Sequence, residues 1–335
     1  MKRFSLPLAA SLLALVQTPV HGADPVPVPT PVEIVAAAPA ADWAAIAPSD
    51  LLVMDLAPDG AGKSRRVVIQ LLPVPFSQGW IGNIRKLAAA HWWDGTSVNR
   101  VQDNYVVQWG DADGDDKAKA KPLPLGLKVV PQGDYQAEAP KAWAAPPILR
   151  QQRSWIRDNY AGNAVFHGAW PLGTIEPGEP LIYKDAQTGR VIPPPSTQPF
   201  WPVHCYATVG VGRDMPPDTG SGAELYAVIG HAPRQLDRNI AVVGRVIEGI
   251  ELLSSLPRGT GTLGFYEQAG ERVPIVSVRI GDQVPGLPRY EYLSTESASF
   301  ARYADARANR RDAFYIRPAG GADICNIPVP VRRAK

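Results

Sequence analysis

Apolar residues along this 335-residue chain come in short runs, many of them alternating with polar positions. Leu51–Leu56 (LLVMDL) and 66–72 (RVVIQLL) have strand length, and the polar, glycine-containing stretch between them predicts a hairpin. In the second run Val67, Ile69 and Leu71 alternate with Val68 and Gln70, the two-residue period of a strand. Over 80–90 the apolar positions become Trp80, Ile84, Leu87 and Ala88, which is helical spacing. Residues 97–109 read as two strands around a turn at Gln102, Asp103 and Asn104. Strand patterns return at 204–211, 224–229, 241–246 and 273–280, with a short helix over 248–255. A last helix is expected over 294–311, outside the main domain. Thr295 is its N-cap candidate, and Phe300, Tyr303 and Ala304 share one side. Many short strands, two helices and frequent turn residues predict a barrel or sandwich.

Other segments break this pattern. Residues 23–48 are rich in proline and alanine and read as a semi-extended linker, with order beginning near Ser49. Residues 112–203 carry a charged turn, several Pro-Pro pairs and two aromatic islands (155–160 and 165–170), and read as a long insertion with short elements of its own. Exposed aromatics in such number are unfavourable, so part of 155–170 is expected to pack on the barrel. At the start, Lys2 and Arg3 precede an apolar run over 4–16 with small residues near 20–22. This is the layout of a signal peptide over 1–22, too short to serve comfortably as a membrane span, and it predicts a periplasmic or otherwise exported protein.

Composition adds three constraints. Hydrophobic residues make up 45% of the chain, enough for a sizeable core. A net charge of +2 gives no bulk attraction to nucleic acid or acidic membranes. The 35 prolines exclude long uninterrupted helices and favour loops. Of the two cysteines, Cys205 and Cys325, the sequence allows two readings: a disulfide in an oxidising compartment, or two buried thiols.

Several motifs carry no chemistry in their context. GTGTLG at 259–264 has the glycine spacing of a dinucleotide loop, but it follows a helix and precedes a strand, the reverse of what that loop needs. DADGDD at 111–116 has its glycine in the wrong place for a calcium loop and reads as a solvated turn. The histidines lack close metal-ligand spacing, and no G-x-S-x-G elbow is present, so no cofactor is expected.

Two other stretches carry a resemblance. The first is WDGTSVNRV (93–101) followed by NYVVQWGD (104–111). The second is GVGRD (210–214), SGAELYAVIG (221–230), LDRN (236–239) and VVGRVIEG (242–249). Together they resemble the cyclophilin-type peptidyl-prolyl cis-trans isomerases, where Y-D-G-T leads into F-H-R-V and G-F-M-x-Q-G-G-D, and later S-Q-F-F-I, L-D-G-K and V-F-G-x-V-x-E-G. Order and spacing agree over 51–283, the insertion aside. The resemblance implies a mainly β fold: a closed antiparallel eight-stranded barrel over 49–283 with two packing helices, interrupted by 112–203 and followed by a C-terminal helical extension, 284–335.

It also implies isomerisation of X-Pro bonds in exported proteins, with proline-containing polypeptides as partners. Arg100 takes the catalytic position, and Gln108 binds a substrate carbonyl or orients Arg100. Tyr105, Val106 and Tyr226 line a proline pocket with Leu236 at its rim, and Val106 reads equally well as barrel core. The flanking positions Gly212, Arg213, Glu224 and Gln235 also belong to the site by this match. The chain departs from the family's pattern there: Gln235 replaces a tryptophan, Ile240 a histidine, Glu224 a glutamine, Val106 a methionine, and Arg213 an asparagine. Divergent bacterial and plastid members with L-D-R-N are similar at these places. A changed rim keeps a second reading open, a cyclophilin-like module that binds peptides with little or no turnover. A third, a barrel serving purely as scaffold, requires a plugged pocket.

Overall fold

A computed structural model describes residues 28–138, 156, 158–175 and 197–334. The signal-peptide reading and Trp155 lie outside these residues. The elements in chain order are α1 (Pro31–Ala36), β1 (Trp43–Ile46), β2 (Leu51–Leu56), β3 (Arg65–Leu71), α2 (Gln78–Ala89), β4 (Ser97–Val101) and β5 (Val106–Gly110). Then come β6 (Ala137–Glu138), β7 (Asn163–His167), β8 (Trp170–Thr174), β9 (Pro199–Pro202), β10 (Thr208–Val211), β11 (Leu225–Val228) and β12 (Val242–Glu248). The last are α3 (Ile250–Ser254), β13 (Val273–Ile280), β14 (Tyr290–Leu293), α4 (Ala298–Ala308) and β15 (Val331–Arg333).

Eight strands close into an antiparallel barrel in the order β10-β11-β5-β4-β13-β2-β3-β12. Alternation decides which side chains fill it. Val67, Ile69 and Leu71 of β3 join the main core, whereas Val68 belongs to a separate apolar cluster and Gln70 hydrogen-bonds Arg245. Val107 and Trp109 of β5 and Leu225 and Ala227 of β11 are likewise part of the main core. Helix α2 buries Trp80, Ile84, Leu87 and Ala88, the four positions of its apolar stripe, and the Trp80 indole donates to the Thr219 and Gly220 carbonyls at 3.1 and 3.0 Å. The shorter α3 buries Leu253.

The segment read as a linker is corrected over its described part. Thr30 and Glu33 form a reciprocal capping box that starts α1, with Pro31 at the first helical position, and α1 packs against α4. Strand β1 pairs with β14, and β14 with β15, so that both flanks of the barrel share one three-stranded sheet. Order therefore precedes Ser49. Helix α4 is capped by Ser297, whose hydroxyl accepts from the Phe300 backbone, and not by Thr295. Thr295 spends its hydroxyl on Glu296 instead.

Within 112–203, β6, β9, β8 and β7 make a second, four-stranded sheet. Phe166 and Trp170 are buried, and the Phe166 ring meets Phe300 of α4 edge-on at 5.1 Å. Arg245 of β12 donates to the Ala169 carbonyl and stacks over Trp170, joining this sheet to the barrel. Cys205 and Cys325 form a disulfide, which ties the C-terminal extension to the start of β10. Among the described residues no helix is long and apolar enough to cross a membrane.

Candidate active site

The outward positions of β4, β5 and β11 build one cleft. Arg100 of β4 is paired in register with Gln108 of β5, and Gln108 with Tyr226 of β11. Tyr226 in turn faces Gly210 of β10. These four residues make a row across four strands on the outer face of the barrel. Gly210 is required there, because a Cβ would stand 2.3 Å from the Tyr226 ring. A β-bulge between Val98 and Arg100 turns the Arg100 side chain toward the row.

The cleft encloses about 760 Å³ and is lined by both apolar and charged groups. Val106, Tyr226 and Val228 form an apolar cluster with Tyr105 and Ile240 against it. Val106 therefore faces the cleft and not the barrel interior. Of the residues the sequence points to, Arg100, Tyr105, Val106, Gln108, Gly212, Arg213, Glu224, Tyr226 and Leu236 all line this cleft. Gln235 does not. It lies in the single 3-10 turn Arg234–Leu236, where successive side chains point about 120° apart. Arg234 turns inward and Leu236 toward the cleft, leaving Gln235 exposed.

Arg100 is held by three donated bonds. Its Nε reaches the Leu263 carbonyl at 2.8 Å, one terminal nitrogen reaches Gln108 Oε1 at 3.2 Å, and the other bonds Gln102 Oε1. The guanidinium also stands 5.3 Å from the Phe265 ring centre and 5.8 Å from that of Tyr105. Burial holds its pKa below the ordinary arginine value, but an arginine stays charged in proteins. Five N–H donors and three internal bonds leave donor capacity facing the cleft. Arg213 is bound to the protein itself, through the Asn239 and Asp214 carbonyls.

Glu224 accepts from the Asp111 backbone at 2.7 Å, and the Asn99 and Gln108 side-chain amides also bond toward it. Its carboxylate lies so close over Gly110 that a Cβ there would overlap it. Burial, aided by the Asp111 charge, pushes its pKa up to about 7.

Sequence reasoning missed the loop that covers Arg100, at Leu263 and Phe265, and the groups beneath Tyr226, at His204 and Asp237. The loop begins in the stretch that fails as a dinucleotide motif, 259–264, and runs one residue past it to Phe265, and His204 stands alone with no spacing to mark it. Only three-dimensional proximity joins them to the row.

The fold and site define a closed eight-stranded antiparallel barrel that carries an arginine, a glutamine and aromatic side chains around an outer cleft. The family model for cyclophilin type peptidyl-prolyl cis-trans isomerases matches residues 79–280, so this chain belongs to that family. In overall fold it is similar to the crystal structure of the cyclophilin AquaCyp293 from Hirschia baltica. That match has a TM-score of 0.57 and 18% identity, and covers 88% of this chain and 94% of that one. A cyclophilin type peptidyl-prolyl cis-trans isomerase from Cryptosporidium parvum, solved in the presence of the dipeptide Ala-Pro, matches at 11% identity. It has a TM-score of 0.36 and covers 68% of this chain and 98% of that one. No curated protein matches the sequence.

Proposed function

We propose that this protein catalyses cis–trans isomerisation of X-Pro bonds in exported polypeptides and so assists their folding. The observation that carries this reading is the row Arg100–Gln108–Tyr226, opening on a cleft with an apolar cluster at one side. Isomerisation must break amide resonance over a barrier of roughly 18–20 kcal/mol, and it needs neither nucleophile nor cofactor. Tyr105, Val106, Tyr226, Leu236 and Ile240 offer the proline ring an apolar seat. Gln108 fixes the guanidinium plane and offers an amide to a substrate carbonyl. As the amide twists, the prolyl nitrogen regains its lone pair, and Arg100 donates to it. That bond is stronger in the twisted state than in the planar one, which is the condition for catalysis.

Export is supported by the signal-like start and by the disulfide, which suits an oxidising compartment. Detection of the intact chain from Met1 in the cytoplasmic fraction, and not in the envelope, would reject it.

The test of the activity is isomerisation of an Ala-Pro peptide, measured by a protease-coupled assay or NMR exchange. Arg100→Ala should lower kcat/KM by about 10²–10³, the usual cost of one preorganised donor. Arg100→Lys should recover little, because an ammonium lacks the planar fork. Full activity in Arg100→Ala would remove Arg100 from the mechanism. A wild type that binds the peptide without turning it over would make the protein a peptide-binding module instead.

A further inference from the structure

Beneath the proline pocket runs a chain of polar groups that the isomerase reading does not use. His204 precedes β10, and its Nε2 lies 2.8 Å from the Tyr226 hydroxyl. Its Nδ1 lies 2.9 Å from Asp237 Oδ1, the same oxygen that accepts the His204 backbone N–H at 2.8 Å. A carboxylate oxygen only accepts, so Nδ1 donates to Asp237, and Nε2 pairs with the tyrosine hydroxyl. The other oxygen of Asp237 accepts from Arg234 Nε at 2.7 Å. The terminal nitrogens of Arg234 donate to both oxygens of Asp158, at 2.5 and 3.2 Å. Asp158 belongs to the insertion, and Tyr160 beside it stacks on the same guanidinium at 5.2 Å. Asp323, from the C-terminal extension, stands 3.7 Å from Arg234. The side chains of His204, Asp237, Arg234 and Asp158 are all at most 4% exposed.

We propose that His204, Asp237 and Arg234 form a buried relay that positions the Tyr226 ring, so that the proline pocket depends on the insertion through Asp158. Two features argue for positioning over bulk stability. A phenylalanine would fill the pocket wall as well as Tyr226, without a partner. The hydroxyl is what creates the need for His204, and the imidazole for Asp237. A buried ion pair is also a poor source of stability compared with apolar packing, and its better-attested use is to fix one arrangement among several. The relay has one exit to the cleft, at Tyr226, whose ring lies over Gly210 with no room to settle lower. Leu236, on the cleft rim, sits between Arg234 and Asp237 in sequence, so the same turn that carries the relay carries part of the pocket. His204, Asp237, Arg234 and Asp158 are positioning residues, since none of them lines the cleft.

This inference rests on the cleft being the proline-peptide site, and the experiment separates the two. The full chain is titrated with an Ala-Pro tetrapeptide in wild type, Asp158→Asn, Tyr226→Phe and the double variant. Asp158→Asn should weaken binding about fivefold, a size typical of coupled contacts, and less than about twofold in the Tyr226→Phe background. Equal losses in both backgrounds would show that Asp158 acts through general stability and would overturn the proposal. Selective labelling of tyrosine rings gives a second readout that needs no peptide. Asp158→Asn should shift and sharpen the Tyr226 ring signals toward fast flipping and leave Tyr105 unchanged. Unaltered Tyr226 signals would reject the relay even if the wild type fails to bind peptide, whereas failed binding alone would reject only the cleft assignment. If Asp158→Asn does not fold, Asp158→Glu, which keeps the charge and displaces the oxygens, is read in the same two ways.

Discussion

Glu224 lies over the Gly110 backbone with its carboxyl partly out of water, and three hydrogen-bond donors do not fully offset that burial. Its pKa is 4.5 ordinarily and about 7 in the folded protein. Between those two values the folded state keeps a proton that the unfolded state has released. Stability therefore falls as pH rises from 4.5 to about 7 and is level above that. The shift corresponds to a penalty on the order of 3 kcal/mol at alkaline pH. Glu224→Gln keeps the shape and removes the titration. The variant should match wild type in urea midpoint near pH 4.5 and exceed it clearly at pH 8. If the difference between the two proteins is the same at both pH values, the carboxyl is not buried as the geometry has it. At this scale the sequence was informative about identity and blind to environment. The S-Q-F-F match located Glu224 in the site, but nothing in the string reveals that Gly110 and Asp111 fold over it. Gln235 shows the converse: a position flanking the matched LDRN string that a three-residue turn points away from the cleft.

The strands were the most legible elements, because a half-buried strand writes its two faces into the sequence. Val67, Ile69 and Leu71 mark the interior of β3 directly. The same rule resolves Val106, since Trp109 and Val107 point inward and leave Val106 and Gln108 outward. Helix α1 was hidden by composition. Thr30-Pro31-Val32-Glu33 is a capping box with proline at the first helical position, a readable start signal, but the surrounding prolines and alanines argued for a linker. The disulfide was legible as two cysteines and not as a pair, since 120 residues separate them and only the tertiary fold brings their Cα atoms to 5.1 Å. Closing a loop of that length removes unfolded-state entropy worth roughly 4–5 kcal/mol in the chain-entropy account. Cys325→Ser should therefore lower the urea midpoint substantially under oxidising conditions, and reductant should lower that of wild type to a similar level. An unchanged midpoint in both experiments would mean that the bridge does not constrain the unfolded chain.

On the scale of the whole molecule, the barrel, the insertion and the two flanks share one apolar core, so the C-terminal segment is structural in a way its position after the family match does not suggest. Leu293 of β14, Phe300 of α4, and Ile324 and Ile327 beyond it are at most 1% exposed and belong to the same cluster as Trp109 and Leu225 of the barrel. Phe300 covers Phe166 of the insertion, and Leu293 pairs in register with Trp43 of β1. Burying four such side chains contributes roughly 6–12 kcal/mol, at about 1.5–3 kcal/mol each. That is comparable with the total stability of an ordinary domain, roughly 5–15 kcal/mol. A chain ending at Gln283 keeps every barrel strand but loses β14, α4, β15 and Cys325. It also uncovers Trp43, Phe166 and the relay end at Arg234, where Asp323 no longer stands. The truncated protein should bind a hydrophobic dye strongly and lose its near-ultraviolet dichroism while keeping strand signal in the far ultraviolet, the behaviour of a chain whose packing has loosened. A truncated chain that is dye-free and cooperative in urea would show that the barrel folds alone. The extension would then be an appended module and not part of the core.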